Sequence, residues 1–114
     1  MTVLIAIDAA STCVGTISYK DDGTGEGHLR GMAVLPSWHG RGVGSALLAA
    51  AEKELAARGC DRITLDTTRP LQRAIRLYEA QGYVHTGAVR DFFGMELIES
   101  AKRLKDAPAA DDAR

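Results

Sequence analysis

The chain has 114 residues, 46% apolar and 25% charged, with a formal net charge of −1. That is room for one domain with a real core and not for two. The near-neutral charge argues against nucleic acid or an anionic membrane as the main partner, because both demand a basic face.

Val3 to Ile7 is an apolar run of strand length. It is too short for a signal peptide, and no Lys or Arg precedes it. No stretch approaches the length of a membrane span, so a cytoplasmic protein is expected. Cys13 to Tyr19 is a second strand, rich in β-branched residues, that forms a hairpin with the first. Asp21 to Gly27 is turn chemistry. His28 to Leu35 returns to a strand pattern, which Pro36 ends.

Ser37 to Gly44 is a loop. From Ser45 the period changes, and Leu47, Leu48, Ala51 and Leu55 fall on one helical face. Glu52, Lys53 and Arg58 are expected on the other face. Arg58-Gly59 closes this helix of about fourteen residues, roughly 21 Å long. Arg62 to Thr67 is a strand, and Thr68 to Leu71 a crossover with Pro70 suited to a first helical turn. Leu71, Ala74, Ile75 and Tyr78 share the next helical face, which Gly82 ends. Tyr83 to Thr86 and Asp91 to Leu97 are expected as two strands around a turn at Gly87. Lys102 to Arg114 reads as a polar, Ala-rich tail, largely disordered, so the domain is expected over 1–105, with 106–114 as its tail.

The order strand, strand, strand, helix, strand, helix, strand, strand combines an antiparallel hairpin with strand–helix–strand units. It predicts an α/β (α+β) fold with a mixed sheet and two main helices. Cys13 and Cys60 are too few for a disulfide scaffold and are expected to be reduced core residues. With His39 and His85 they show no ligand spacing, so no metal is expected.

The chemically informative stretch is Pro36-Ser37-Trp38-His39-Gly40-Arg41-Gly42-Val43-Gly44-Ser45. It leaves a strand and enters a helix. Glycines turn the chain sharply and let a ligand approach the backbone. Freed N–H groups and the helix N-terminus then favour an anion, above all a phosphate. Arg41 adds a forked cation. A P-loop needs Lys before Ser or Thr, and Gly44 is followed by Ser45-Ala46. The dinucleotide fingerprint needs a third glycine that is absent. A ligand-free turn remains open on these residues alone.

The stretch from Val34 to Tyr83 resembles the core of the GNAT superfamily of acetyl-CoA-dependent N-acetyltransferases. Gly42 and Gly44 match its pyrophosphate loop, with His39 where the pattern opens on Gln or Arg. Ala74-Ile75-Arg76-Leu77-Tyr78-Glu79-Ala80-Gln81-Gly82-Tyr83 is similar to its Ala-x-x-x-Tyr-x-x-x-Gly-Phe element. Leu71 stands where many members carry Asn. The resemblance implies acetyl-CoA as co-substrate, held by His39, Gly40, Arg41, Gly42, Val43, Gly44 and Ser45 and by the backbone of Met32, Ala33 and Val34. It implies direct attack of a primary amine on the thioester. Tyr78 is the expected donor to the departing thiolate, and His28 the expected base, with Glu26 a weaker alternative. The acceptor is expected to be a small-molecule or peptide amine. Members usually begin with a strand and two helices ahead of this chain's first strand. A shortened form exposes sheet surface that a homodimer would cover. The rival is a catalytically inactive CoA-binding or protein-interaction module on the same fold. A different phosphate-ligand enzyme is a second alternative.

Overall fold

A computed structural model describes residues 1–68 and 72–104. The expected crossover residues Pro70 and Leu71, and the tail from 105 onward, lie outside the described residues. The elements run β1 (Thr2–Ile7), β2 (Cys13–Asp21), β3 (Glu26–Val34), a single 3₁₀ turn at Pro36–Trp38, α1 (Val43–Ala57), β4 (Arg62–Thr67), α2 (Gln72–Ala80), β5 (Val84–Phe92) and β6 (Met95–Arg103). Six strands form one sheet in the order β1-β2-β3-β4-β6-β5. Among the described residues only β3 and β4 pair in parallel, as expected for the two strands that α1 connects.

Both helices cover the same face of this mixed α+β sheet. A Cβ on Gly15 or Gly27 would meet Val43 or Leu55 of α1, which puts that side of β2 and β3 against the helix. Ile17, Leu29, Leu48, Leu55, Ile63 and Leu65 build the core there, and Tyr78 and Tyr83 belong to the same cluster. The opposite face carries no helix among the described residues. On β1 it shows Val3, Ile5 and Ile7, all exposed, while Leu4 and Ala6 turn inward. No helix of the described residues is long and apolar enough to cross a membrane.

Both helices end alike. Gly59 has φ +89°; its N–H bonds to Ala56 O, and that of Cys60 to Leu55 O. Gly82 has φ +98°; its N–H bonds to Glu79 O, and that of Tyr83 to Tyr78 O. Each is a left-handed glycine cap that satisfies the last carbonyls. The second accounts physically for the Tyr-x-x-x-Gly-Tyr spacing. It brings Tyr78 and Tyr83 edge to face at 5.9 Å.

Four expectations need correction. The β5–β6 turn lies at Phe93-Gly94, both with positive φ, between the paired Phe92 and Met95. Gly87 instead sits inside β5 at a register shift. Lys102 and Arg103 are strand residues of β6, paired with Ile63 and Arg62. Cys13 is exposed, because a register shift after Ala6 places it at the hairpin end opposite Ile7. Glu52 is not turned to solvent: it accepts from Tyr83 Oη at 2.8 Å and from Lys102 Nζ at 3.1 Å.

Gly27 shows how tightly α1 is seated. An added Cβ would lie 2.7 Å from Cδ1 of fully buried Leu55, which has no room to retreat. Gly27→Ala is expected to destabilise the fold by about 1–3 kcal/mol through overpacking. A urea midpoint equal to or above that of the wild type would refute this.

Candidate active site

The site begins where β3 leaves β4. The two pair only from Glu26↔Arg62 to Leu29↔Leu65. Beyond that, β3 stays with β2 through a bulge at Gly31 (φ +59°), and β4 stays with β6. A gap therefore opens between neighbouring strands of one sheet. Backbone groups of Met32 to Val34 lose their partner on that side, which frees donors and acceptors for a ligand.

The chain next makes one 3₁₀ turn and enters α1 through Gly42, the N-cap, with φ +84°. No side chain caps this helix. Its first N–H groups therefore remain available, and the dipole adds roughly half a positive charge there. At Gly40 (φ +77°) and Gly42 a Cβ would meet nothing within 4 Å, so these glycines serve backbone conformation and access. Gly44 serves packing: its Cβ would lie 2.9 Å from Leu77 of α2. The helices meet closely there.

Between these elements lies a cavity of about 520 Å³. Met32, Ala33 and Val34 form one wall, and the loop residues Trp38, His39 and Gly40 the rim. Gly42 to Ser45 supply the helix N-terminus. The fourth wall is the start of α2, with Gln72, Arg73, Ala74 and Leu77. No acidic side chain lines it among the described residues. The donor set and the charge suit a phosphorylated ligand.

Of the expected cofactor residues, Arg41 is not on the cavity wall. Its guanidinium stacks 4.3 Å from the centre of the Trp38 ring. His39 turns inward to its own chain: Nε2 donates to Val34 O at 3.0 Å, a tautomer set by the carbonyl. That bond closes the β3–α1 loop. The α2 wall escaped sequence reasoning, because nothing in Gln72-Arg73 marks it as facing a loop some thirty residues earlier.

Tyr78 is 9% exposed and lies in the core beside Tyr83, not among the residues lining the cavity. Burial pushes its hydroxyl above the usual tyrosine range, so it stays protonated at neutral pH. His28 stands on the face away from the helices and does not line the cavity. Its Nδ1 is 2.6 Å from Thr64 Oγ1, and its Nε2 is 3.4 Å from Asp22 Oδ2 and 3.8 Å from Glu26 Oε1. Asp22 is held at about 2, chiefly by hydrogen bonds from the Thr24 hydroxyl and amide. Asp22, Glu26 and His28 present ligand atoms within 4.8 Å of one another, a spacing compatible with a metal ion. Each already has another partner: Thr24 on Asp22, Arg62 on Glu26, Thr64 on His28.

A helix start that presents bare N–H groups to a cavity beside splayed strands is suited to an anionic ligand. The comparisons agree. Residues 2–83 match the model of the acetyltransferase (GNAT) family. That is most of the chain, and the chain belongs to this family of N-acyltransferases. Its structure is similar to the ribosomal-protein-S18-alanine N-acetyltransferase from Escherichia coli, with TM-score 0.79 and 22% identity over 96% of this chain and 72% of that one. It is similar to nourseothricin acetyltransferase, with TM-score 0.83 and 20% identity over 90% of this chain and 65% of that one. A GCN5-related N-acetyltransferase from Kribbella flavida aligns with TM-score 0.74 and 19% identity, over 89% and 66% respectively. At these identities the likeness is one of fold.

Proposed function

We propose that the protein transfers an acetyl group from acetyl-CoA to an amine acceptor by direct attack. The observation that carries this reading is the uncapped N-terminus of α1 opening into the cavity beside Met32–Val34. In this reading the diphosphate lies on the N–H groups of Gly42 to Ser45, with Arg73 and Arg41 as the nearby cations. The pantetheine arm runs along the unpaired edge of β3 and brings the thioester to the strand gap.

The acceptor nitrogen bonds to the carbonyl carbon, and the C–S bond breaks with its electron pair on sulfur. Tyr78 supplies the hydrogen bond, and finally the proton, to that thiolate. At model values, about 10 for tyrosine and 8.5 for a thiol, full transfer is uphill by about 2 kcal/mol. Burial makes it steeper. A hydrogen bond that strengthens as charge develops is therefore the main contribution. For the proton leaving nitrogen we keep His28, with its imidazole on the uncovered face near the same strands. The rival non-catalytic module is favoured by one observation, that Tyr78 does not line the cavity.

Acetyl-CoA at a hundred times its Kd is expected to stabilise the fold by about 2.7 kcal/mol, a Tm shift on the order of 10 °C. Gly42→Asp should remove the shift by setting a carboxylate against the diphosphate. Gly42→Ala, which adds only the strain of a positive φ, should retain part of it. No shift at millimolar acetyl-CoA would end the reading. Tyr78→Phe should lower kcat about a hundredfold with unchanged acetyl-CoA affinity; unchanged turnover would remove Tyr78 from the chemistry. His28→Ala should lower kcat by a comparable factor, most at low pH where the amine is protonated, and a flat response would relieve His28 of the base role.

A further inference from the structure

Three side chains meet at the β2–β3 turn, and none of them lines the cavity. Asp22 follows β2. Glu26 and His28 are the first and third residues of β3, so they project from the same side of the strand. The Asp22 N–H donates to Glu26 O at 3.1 Å and holds the two ends of the turn together. Each side chain has a partner, and each partner takes one atom only. Thr24 donates to Asp22 Oδ1, from its hydroxyl at 2.6 Å and its N–H at 2.8 Å. Arg62 pairs with Glu26 Oε2. Thr64 Oγ1 lies 2.6 Å from His28 Nδ1. The remaining atoms turn toward one another: His28 Nε2 is 3.4 Å from Asp22 Oδ2 and 3.8 Å from Glu26 Oε1.

These separations exceed the roughly 2.7–3.2 Å of a good hydrogen bond. They are close to those of neighbouring ligands around one ion. With Zn–N and Zn–O bonds of about 2.0–2.2 Å, tetrahedral ligands stand roughly 3.3–3.6 Å apart. A slight turn of the half-buried Glu26 side chain brings all three atoms into that range. An imidazole nitrogen beside two carboxylate oxygens favours a borderline transition ion over Mg²⁺ or Ca²⁺, which take six or more oxygens. Thr64 supplies the outer contact. When Nδ1–H donates to its hydroxyl, Nε2 carries the lone pair and the ring is held in place. Thr64 is buried, so the anchor is firm. Arg62 balances one of the two carboxylate charges and leaves the other for a cation.

We propose that Asp22, Glu26 and His28 bind one divalent transition-metal ion of the zinc type at the β2–β3 turn, with water in the fourth place. The set is separate from Cys13, Cys60, His39 and His85, whose spacing offers no site. An ion on Nε2 takes the lone pair that a base at His28 would use, so the metal-bound protein has no base there. That consequence rests on the acetyltransferase reading; the binding does not.

The test is a titration of the full chain with Co²⁺, read by its visible absorption, with Zn²⁺ as competitor and Mg²⁺ as control. One equivalent of Co²⁺ should give the strong bands of a tetrahedral ion. Zn²⁺ should remove them, and Mg²⁺ should not. His28→Gln and Asp22→Asn should each raise the half-saturating Co²⁺ concentration at least about tenfold. Asp22 lies in an exposed turn, and circular dichroism of Asp22→Asn should match the wild type, which keeps the test valid if His28→Gln unfolds. Thr64→Val should weaken Co²⁺ by about tenfold through loss of the outer contact. His85→Gln should change nothing, although His85 stands 4.0 Å from Glu79 and offers the rival pair. Equal half-saturation in Asp22→Asn, or bands lost in His85→Gln, would overturn the proposal. No acetyl-CoA is present in this titration, so failure of the acetyltransferase reading would leave its result standing.

Discussion

The separation of β3 from β4 after Leu29 and Leu65 is the constraint on which the rest of the site depends. Two parallel strands that stay hydrogen-bonded leave no room for a ligand between them. Here the bulge at Gly31 keeps β3 with β2, while β4 follows β6. The main-chain groups of Met32 to Val34 are thereby released on one side, and Asp66 and Thr67 are left bordering the gap on the other. One face holds the helices and the cavity, and the other carries no described helix.

That opening would be a weakness without ties elsewhere. Glu52 of α1 supplies one. It takes the Tyr83 hydroxyl from the end of α2 and the Lys102 ammonium from β6. Three elements are joined at one half-buried carboxylate, and Lys102 lies 5.6 Å from the Tyr83 ring. Removal of any one partner would leave a partly buried charge or hydroxyl with one hydrogen bond fewer. The two glycine-capped helix ends work alike, since each turns the chain sharply back toward the sheet. The far end of the molecule is thus closed, and the splayed end is left free to open.

The glycines of the loop divide the work. Gly42 lets α1 start without a side-chain cap, which leaves its first amides for an anion. Gly44 instead lets Leu77 approach and sets the width between helices. His39 holds the loop to Val34, and Trp38 carries Arg41. The loop is largely ordered by its own contacts.

Much of this was legible from sequence for a local reason. Apolar periodicity, Pro36, Gly59 and Gly82 mark element ends through constraints that act within a few residues, and the expected order of six strands and two helices is present, with the last two strands bounded differently. The glycine loop was legible too, because positive φ and an uncapped helix start need particular residue types. The β5–β6 turn was not. Phe93-Gly94 is a poor turn signal beside Gly87, and only pairing with β6 decides which glycine bends and which bulges. Glu52 looked solvated because its partners lie 31 and 50 residues away. Sequence determined the strand and helix order and the glycine-led entry into α1. Tertiary structure alone decided that α2 walls the cavity, that Tyr78 sits behind it, that His28 lies on the other face, and that Asp66 borders the gap. These are questions of which distant segments meet, and a one-dimensional pattern carries no distance between them.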